Sequence, residues 1–106
     1  MSQVTNIIIL FSSSEDEERI INDLSKFEYK KDSFFYAKSI NDKNLPTSWY
    51  GGNKHFEASV LIGAYNYIEI NILLNYMKTI KWEYIEDVQI LYKEQFEDTF
   101  TIVNLL

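Results

Sequence analysis

The single histidine, His55, is the first place where this sequence could do chemistry. It follows Gly51-Gly52-Asn53-Lys54 and stands two positions before Glu57. On an extended strand residues 55 and 57 share a face, which gives a general base beside a carboxylate that orients it. Glu57 is itself a candidate base. Metal sites draw on three or four ligands, and this stretch does not supply them, so a surface or capping role is expected of His55. The Gly51-Gly52 pair matches no phosphate-binding pattern and reads as a tight turn. Trp49-Tyr50 ahead of it is a candidate partner anchor, because Trp and Tyr bury much area at little entropic cost.

The carboxylates fall into two groups. Glu15-Asp16-Glu17-Glu18 stands at a helix start, where the dipole favours negative charge, and a solvated first turn accounts for it. Glu83, Glu86, Asp87, Glu94, Glu97 and Asp98 lie within sixteen residues that contain one basic residue, Lys93. They lack the regular ligand spacing and central glycine of a calcium loop. Their spacing permits the carboxylate pair of glycoside hydrolysis, but so short a chain shows no sugar cleft. They read as a partner-binding acidic surface on two loops, separated by a strand about 20 Å long.

Composition narrows the classes further. There is no cysteine, which excludes disulfides, thiolate zinc, iron–sulfur clusters and cysteine nucleophiles. Neither a metal nor an organic cofactor is expected. The formal net charge is −6, which repels phosphate backbones and anionic membranes, and Lys30-Lys31 is too small a patch to reverse that. The same charge suits a basic protein partner, although charge of this size also serves ordinary solubility. Ile7 to Phe11 is an apolar run of five residues with no basic residue ahead of it. It is too short for a signal peptide or a membrane span, so a cytoplasmic protein is expected. Many Ile, Asn, Lys and Tyr residues suit an AT-rich bacterial genome.

The elements that must position these residues follow from the apolar pattern. The chain has 106 residues, 46% apolar and 16% aromatic, enough for one domain over residues 1–106 with its own core. Val4 to Phe11 reads as a strand. Ser14 with Glu17 forms a capping box before a helix from Glu15 to Phe27, with Ile20, Ile21, Leu24 and Phe27 as its stripe. Phe34 to Ile40 reads as a strand, and 41–53, with Pro46 and the glycine pair, as a loop. From Phe56 the residues Phe56, Ala58, Val60, Ile62 and Ala64 alternate as the buried face of a third strand. Asn66 and Glu69 open a helix to Ile80, with Ile70, Leu73, Leu74, Met77 and Ile80 facing inward. Val88 to Lys93 and Thr99 to Leu105 complete the chain as a hairpin around Glu94 to Asp98. The order β-α-β-β-α-β-β predicts an α+β, two-layer, ferredoxin-like sandwich with one additional C-terminal strand. Both helices would cover one face of an antiparallel sheet and leave the other open.

Taken whole, the chain resembles the small acidic immunity proteins of bacterial polymorphic and contact-dependent toxin systems. Trp49-Tyr50-Gly51-Gly52-Asn53-Lys54 and Trp82-Glu83 with Glu86-Asp87-Val88-Gln89 carry that likeness, together with the acidic, cysteine-free α+β character. The resemblance implies one-to-one inhibition of a cognate toxin, often a basic nuclease whose active site the inhibitor occludes. It assigns no role to a particular residue. A non-enzymatic binding module is therefore expected. The alternative is a regulatory domain that senses a small molecule on the open sheet face, lined by Tyr65, Tyr67 and Tyr92; a small enzyme using His55 or Glu57 stands third. An exposed last strand is a template for pairing, so a monomer or a two-fold homodimer is expected.

Overall fold

The computed structural model describes residues 3–29, 33–34, 37–44 and 57–106. In chain order these residues form β1 (Val4–Ser12), α1 (Glu17–Ser25), β2 (Glu28–Tyr29), β3 (Ser33–Phe34) and β4 (Lys38–Ser39). They continue with β5 (Ala58–Asn66), α2 (Ile70–Met77), a 3-10 turn (Ile85–Asp87), β6 (Gln89–Glu94) and β7 (Thr101–Asn104). The main sheet has the order β4-β5-β1-β6-β7 with every neighbouring pair antiparallel. Its centre is β1, a run of branched apolar residues that suits a strand with neighbours on both sides.

Burial alternates along β1 without a break. Thr5, Ile7, Ile9 and Phe11 are buried, and Val4, Asn6, Ile8, Leu10 and Ser12 are half-buried on the opposite face. The inward set meets Ile20 and Leu24 of α1, and Leu73 and Met77 of α2, in one core with Leu61, Tyr65 and Ile90. Phe27 and Ile80, just beyond the helix ends, join it. Both helices thus cover the same face. They also touch each other: the Tyr76 hydroxyl donates to the Asp23 carbonyl, and the Phe27 and Tyr76 rings lie 5.0 Å apart. Among the described residues no helix is long and apolar enough to cross a membrane.

The element order agrees with the sequence reading, while several details differ. The expected strand 34–40 is divided: Ser33–Phe34 pairs with Glu28–Tyr29, and Lys38–Ser39 pairs with β5. The N-cap of α1 is Asp16, whose carboxylate accepts the Arg19 N–H at 3.2 Å, so the Ser14–Glu17 box does not form. Asn66 ends β5 instead of opening α2, and Glu69 takes the N-cap position there. The hairpin of β6 and β7 forms as expected, with 95–100 between its strands.

The largest difference concerns β5. Ala58, Val60, Ile62 and Ala64 lie on the outer face, and Ser59, Leu61 and Tyr65 are buried instead. The outer set is the more apolar one, since the buried set includes Ser59 and Gly63, so periodicity alone points to the wrong face. Register with β1 sets it. Phe11, Ile9, Ile7 and Thr5 stand opposite Ser59, Leu61, Gly63 and Tyr65, and a strand's side chains follow the phase of its partner.

Truncating the helix stripe tests this packing. Leu24→Ala or Leu73→Ala, each at a fully buried position, is expected to cost about 2–5 kcal/mol in denaturant unfolding. Losses below about 0.5 kcal/mol at both positions, as at a surface, would overturn it. The tie between the helices has its own signature. Burial, and then the Asp23 carboxylate, raise the Tyr76 phenol above its ordinary value. A raised folded pKa contributes stability that is complete below the unfolded value, about 10, and is lost as pH rises through the folded one. Tyr76→Phe should therefore flatten the fall of melting temperature on the alkaline side. A wild-type slope in the variant would show that Tyr76 is not responsible.

Candidate functional site

The acidic residues of the C-terminal region are placed by the two ends of β6. Glu86 and Asp87 belong to the 3-10 turn that leads into it, with Glu83 just ahead. Glu94 is its last residue, and Glu97 and Asp98 lie in the turn toward β7. Glu83, Glu86, Asp87, Glu97 and Asp98 are all exposed. The fold does not bring the two groups together along β6, whose six residues hold them about 17–20 Å apart.

The first group rests on a buried carboxylate. Glu15 is 6% exposed, and its side-chain oxygens accept the Glu83 N–H at 3.0 and 3.1 Å and the Tyr84 N–H at 2.8 Å. Arg19 stands 3.8 Å away as its countercharge. A carboxylate taken out of water is tolerable when charge-assisted bonds satisfy it, and here backbone donors do so. Trp82, immediately before, donates its indole N–H to the Met77 carbonyl at 2.9 Å and packs on Phe11 at 5.6 Å. The acidic turn is fastened on both sides of Glu83. Glu15 is therefore not part of a solvated helix start. Glu17 likewise reaches across the fold, accepting the Ser39 hydroxyl at 2.6 Å.

In the second group, two members serve the fold. Glu94 accepts the hydroxyl of buried Thr5 at 3.0 Å, and that hydroxyl accepts the Ile68 N–H at 3.2 Å. This relay joins the end of β6 to the start of α2. The adjoining Tyr67 has φ 52°, a left-handed conformation uncommon in tyrosine, and its N–H donates to the Gln3 carbonyl at 2.7 Å. Glu97 closes its own turn by accepting the Glu94 N–H at 2.9 Å, and Lys93 caps the Glu97 carbonyl at 3.0 Å. Asp98 is left as an exposed acid of this turn.

The middle of the outer sheet face is apolar. Ile8, Leu10, Val60 and Leu91 are half-buried, while Ile62 is 46% and Ile102 62% exposed. Phe96 and Phe100, in the β6–β7 turn, are exposed as well. Asn6, Ile8, Lys38, Ile62, Ala64 and Phe100 line a groove of about 490 Å³ on this face. At its rim Lys38 pairs with Asp42 at 3.5 Å. The Asn44 N–H first, and Lys38 after it, hold the Asp42 carboxyl below its usual range.

Tyr65, Tyr67 and Tyr92 do not line that groove. Tyr65 is buried in the core, Tyr92 packs against it opposite Ile7, and Tyr67 sits in the loop before α2. Glu57 is exposed one residue before β5. Trp49, Tyr50, Gly51, Gly52 and His55 lie outside the described residues. Among the described residues no group of three or more His, Asp or Glu is placed to hold a metal ion. Sequence reasoning missed the Glu15 clip, which no local pattern signals, and also Phe96 and Phe100. Two phenylalanines in an otherwise polar turn were a legible sign.

The strand order, with both helices on one face, defines the class: a two-layer α+β sandwich of ferredoxin-like topology with an added edge strand. No family model matches the chain, and no curated protein or solved structure is significantly similar to it.

The clip at Glu15 is directly testable. Glu15→Ala leaves the Glu83 and Tyr84 N–H groups without their acceptor, at a cost of about 1–3 kcal/mol. Amide exchange at residues 83 and 84 is expected to accelerate with it. Unchanged exchange at both amides would show that the carboxylate does not hold the turn.

Proposed function

We propose that this chain is an acidic protein-binding module, an immunity-type inhibitor of a cognate basic bacterial toxin whose active site it covers in the cytoplasm. The observation that carries the reading is the exposed Glu83-Glu86-Asp87 group on a turn fastened by buried Glu15. A fixed acidic turn loses little freedom on binding, so its charge is preorganised for a basic surface. The −6 charge of the chain steers such a partner from a distance. Asp98, Glu97 and Glu94 extend the field at the other end of β6, and Trp49-Tyr50 is the proposed aromatic anchor.

A second reading has one observation in its favour. The groove beside Phe100 is apolar, and its volume falls in the range of small-molecule sites, as a sensing domain would need.

The two readings part in binding kinetics against a captured basic protein at low and moderate salt. Glu86→Lys with Asp87→Lys should slow association and flatten its salt dependence, because long-range attraction is what salt screens. Trp49→Ala should speed dissociation by roughly tenfold or more, as expected of an aromatic hot spot. Association that ignores salt, with both variants unchanged, would defeat the inhibitor reading and favour the sensor.

A further inference from the structure

Among the described residues the main sheet ends in two unlike edges. At β4 the edge is two residues long, and the Lys38–Asp42 pair lies beside it, a charge that discourages further pairing. At β7 the edge sequence is Thr-Ile-Val-Asn, without charge or proline, in unbroken register with β6. The Leu105 N–H donates to the Val88 carbonyl, which sets the phase of the ladder. Residues 101, 103 and 105 turn their backbone groups toward β6, and Ile102 and Asn104 turn theirs outward. The Ile102 side chain stands on the apolar outer face next to Leu91.

Acid brackets this edge. Glu97 and Asp98 lie in the turn before β7, and Glu86 and Asp87 immediately precede Val88, whose carbonyl accepts from Leu105 just past the end of β7. The groups that β6 separates are therefore the two flanks of one uncharged strand.

We propose that the β7 edge takes up an extended segment of a basic partner protein as a sixth strand, apolar in its middle and basic at both ends. This rests on the protein-binding reading above and names the surface and the kind of segment. Backbone pairing supplies affinity without regard to sequence, and the flanking charges select the segment. The strand spans about 13 Å, so the partner's basic residues stand roughly five to seven positions apart. A second copy is a poor occupant. Two-fold antiparallel pairing of β7 strands would bring Glu97 and Asp98 of one copy to the same end of the joined sheet as Glu86 and Asp87 of the other, acid toward acid at both ends.

The test uses the full chain and a synthetic peptide of alternating Val and Thr with a lysine pair at each end. Its controls carry glutamate pairs, or N-methyl groups on the central amides. Amide shift titration is expected to show saturable binding centred on Ile102 and Asn104, with each control at least about tenfold weaker. Shifts centred elsewhere, no saturation, or equal binding of the N-methylated peptide would overturn the proposal. So would a concentration-dependent dimer that Ile102→Pro abolishes, since that gives the edge to a second copy. Proline there removes an outward N–H and leaves the bonds to β6 in place. If Ile102→Pro leaves dissociation of a captured partner unchanged while association keeps its salt dependence, edge docking fails and the protein-binding reading stands.

Discussion

The phase of β1 decides what every other element buries. Its two faces are both rich in apolar side chains, but they are not equivalent. Turning the strand over would carry Asn6 and Ser12 into the core and withdraw Phe11 from Trp82. A buried amide without partners costs several kcal/mol, so one phase is selected. On the outer face Asn6 instead donates to the Lys93 carbonyl, and on the inner face Thr5 is satisfied by Glu94 and Ile68. Because β1 pairs with both β5 and β6, its phase passes to each of them, and through β6 to β7. The outer apolar face is the consequence. Once Ile7, Ile9 and Phe11 are spent on the helices, Ile8, Leu10, Val60, Ile62 and Leu91 have only the other side.

Polar tying works alongside this packing and spans long stretches of chain. Glu15 lies 68 positions from Glu83, Thr5 lies 89 from Glu94, and Glu17 lies 22 from Ser39. Each ties a side chain of the first seventeen residues to a distant part of the chain: the turn before β6, the end of β6, or the short edge strand β4. Among the described residues every buried side-chain nitrogen and oxygen has a hydrogen-bond partner. That completeness matters because an unpaired buried acceptor loosens the loop it was meant to hold.

These two layers explain what the sequence could and could not disclose. The order of elements was legible because hydrophobic period changes sharply between them: Ile20 and Leu24 recur at helical spacing, and Val4 to Phe11 is a short run rich in branched residues, as a strand is. The face of β5 was not legible, since its outer set, Ala58, Val60, Ile62 and Ala64, is the more apolar one and only pairing with β1 turns it outward. The acidic surface was half legible. Its residues do occupy the two loops expected, but Glu94 and Glu97 serve the hairpin, and Glu15, taken for surface charge, is the buried support. Long-range pairing leaves no local trace, so no reading of residues 15–18 alone could have separated Glu15 from Glu18.

The remaining question is how a partly apolar outer face and the β7 edge, unpaired among the described residues, bear on pairing with a second copy. Proteins commonly protect an edge with a charge on the strand, a proline or a bulge, and β7 has none of these. In the edge-docking proposal the protection stands beside the strand, in the acids before and after it. Charge in that position would repel an identical copy, because two-fold symmetry brings like toward like, yet leave the backbone groups available to a strand with the opposite ends. Charge on Ile102 or Asn104 themselves would refuse every partner. On that proposal, acids on the flanks would separate self-repulsion from selectivity, and the net negative charge and the β7 edge would be two parts of one arrangement.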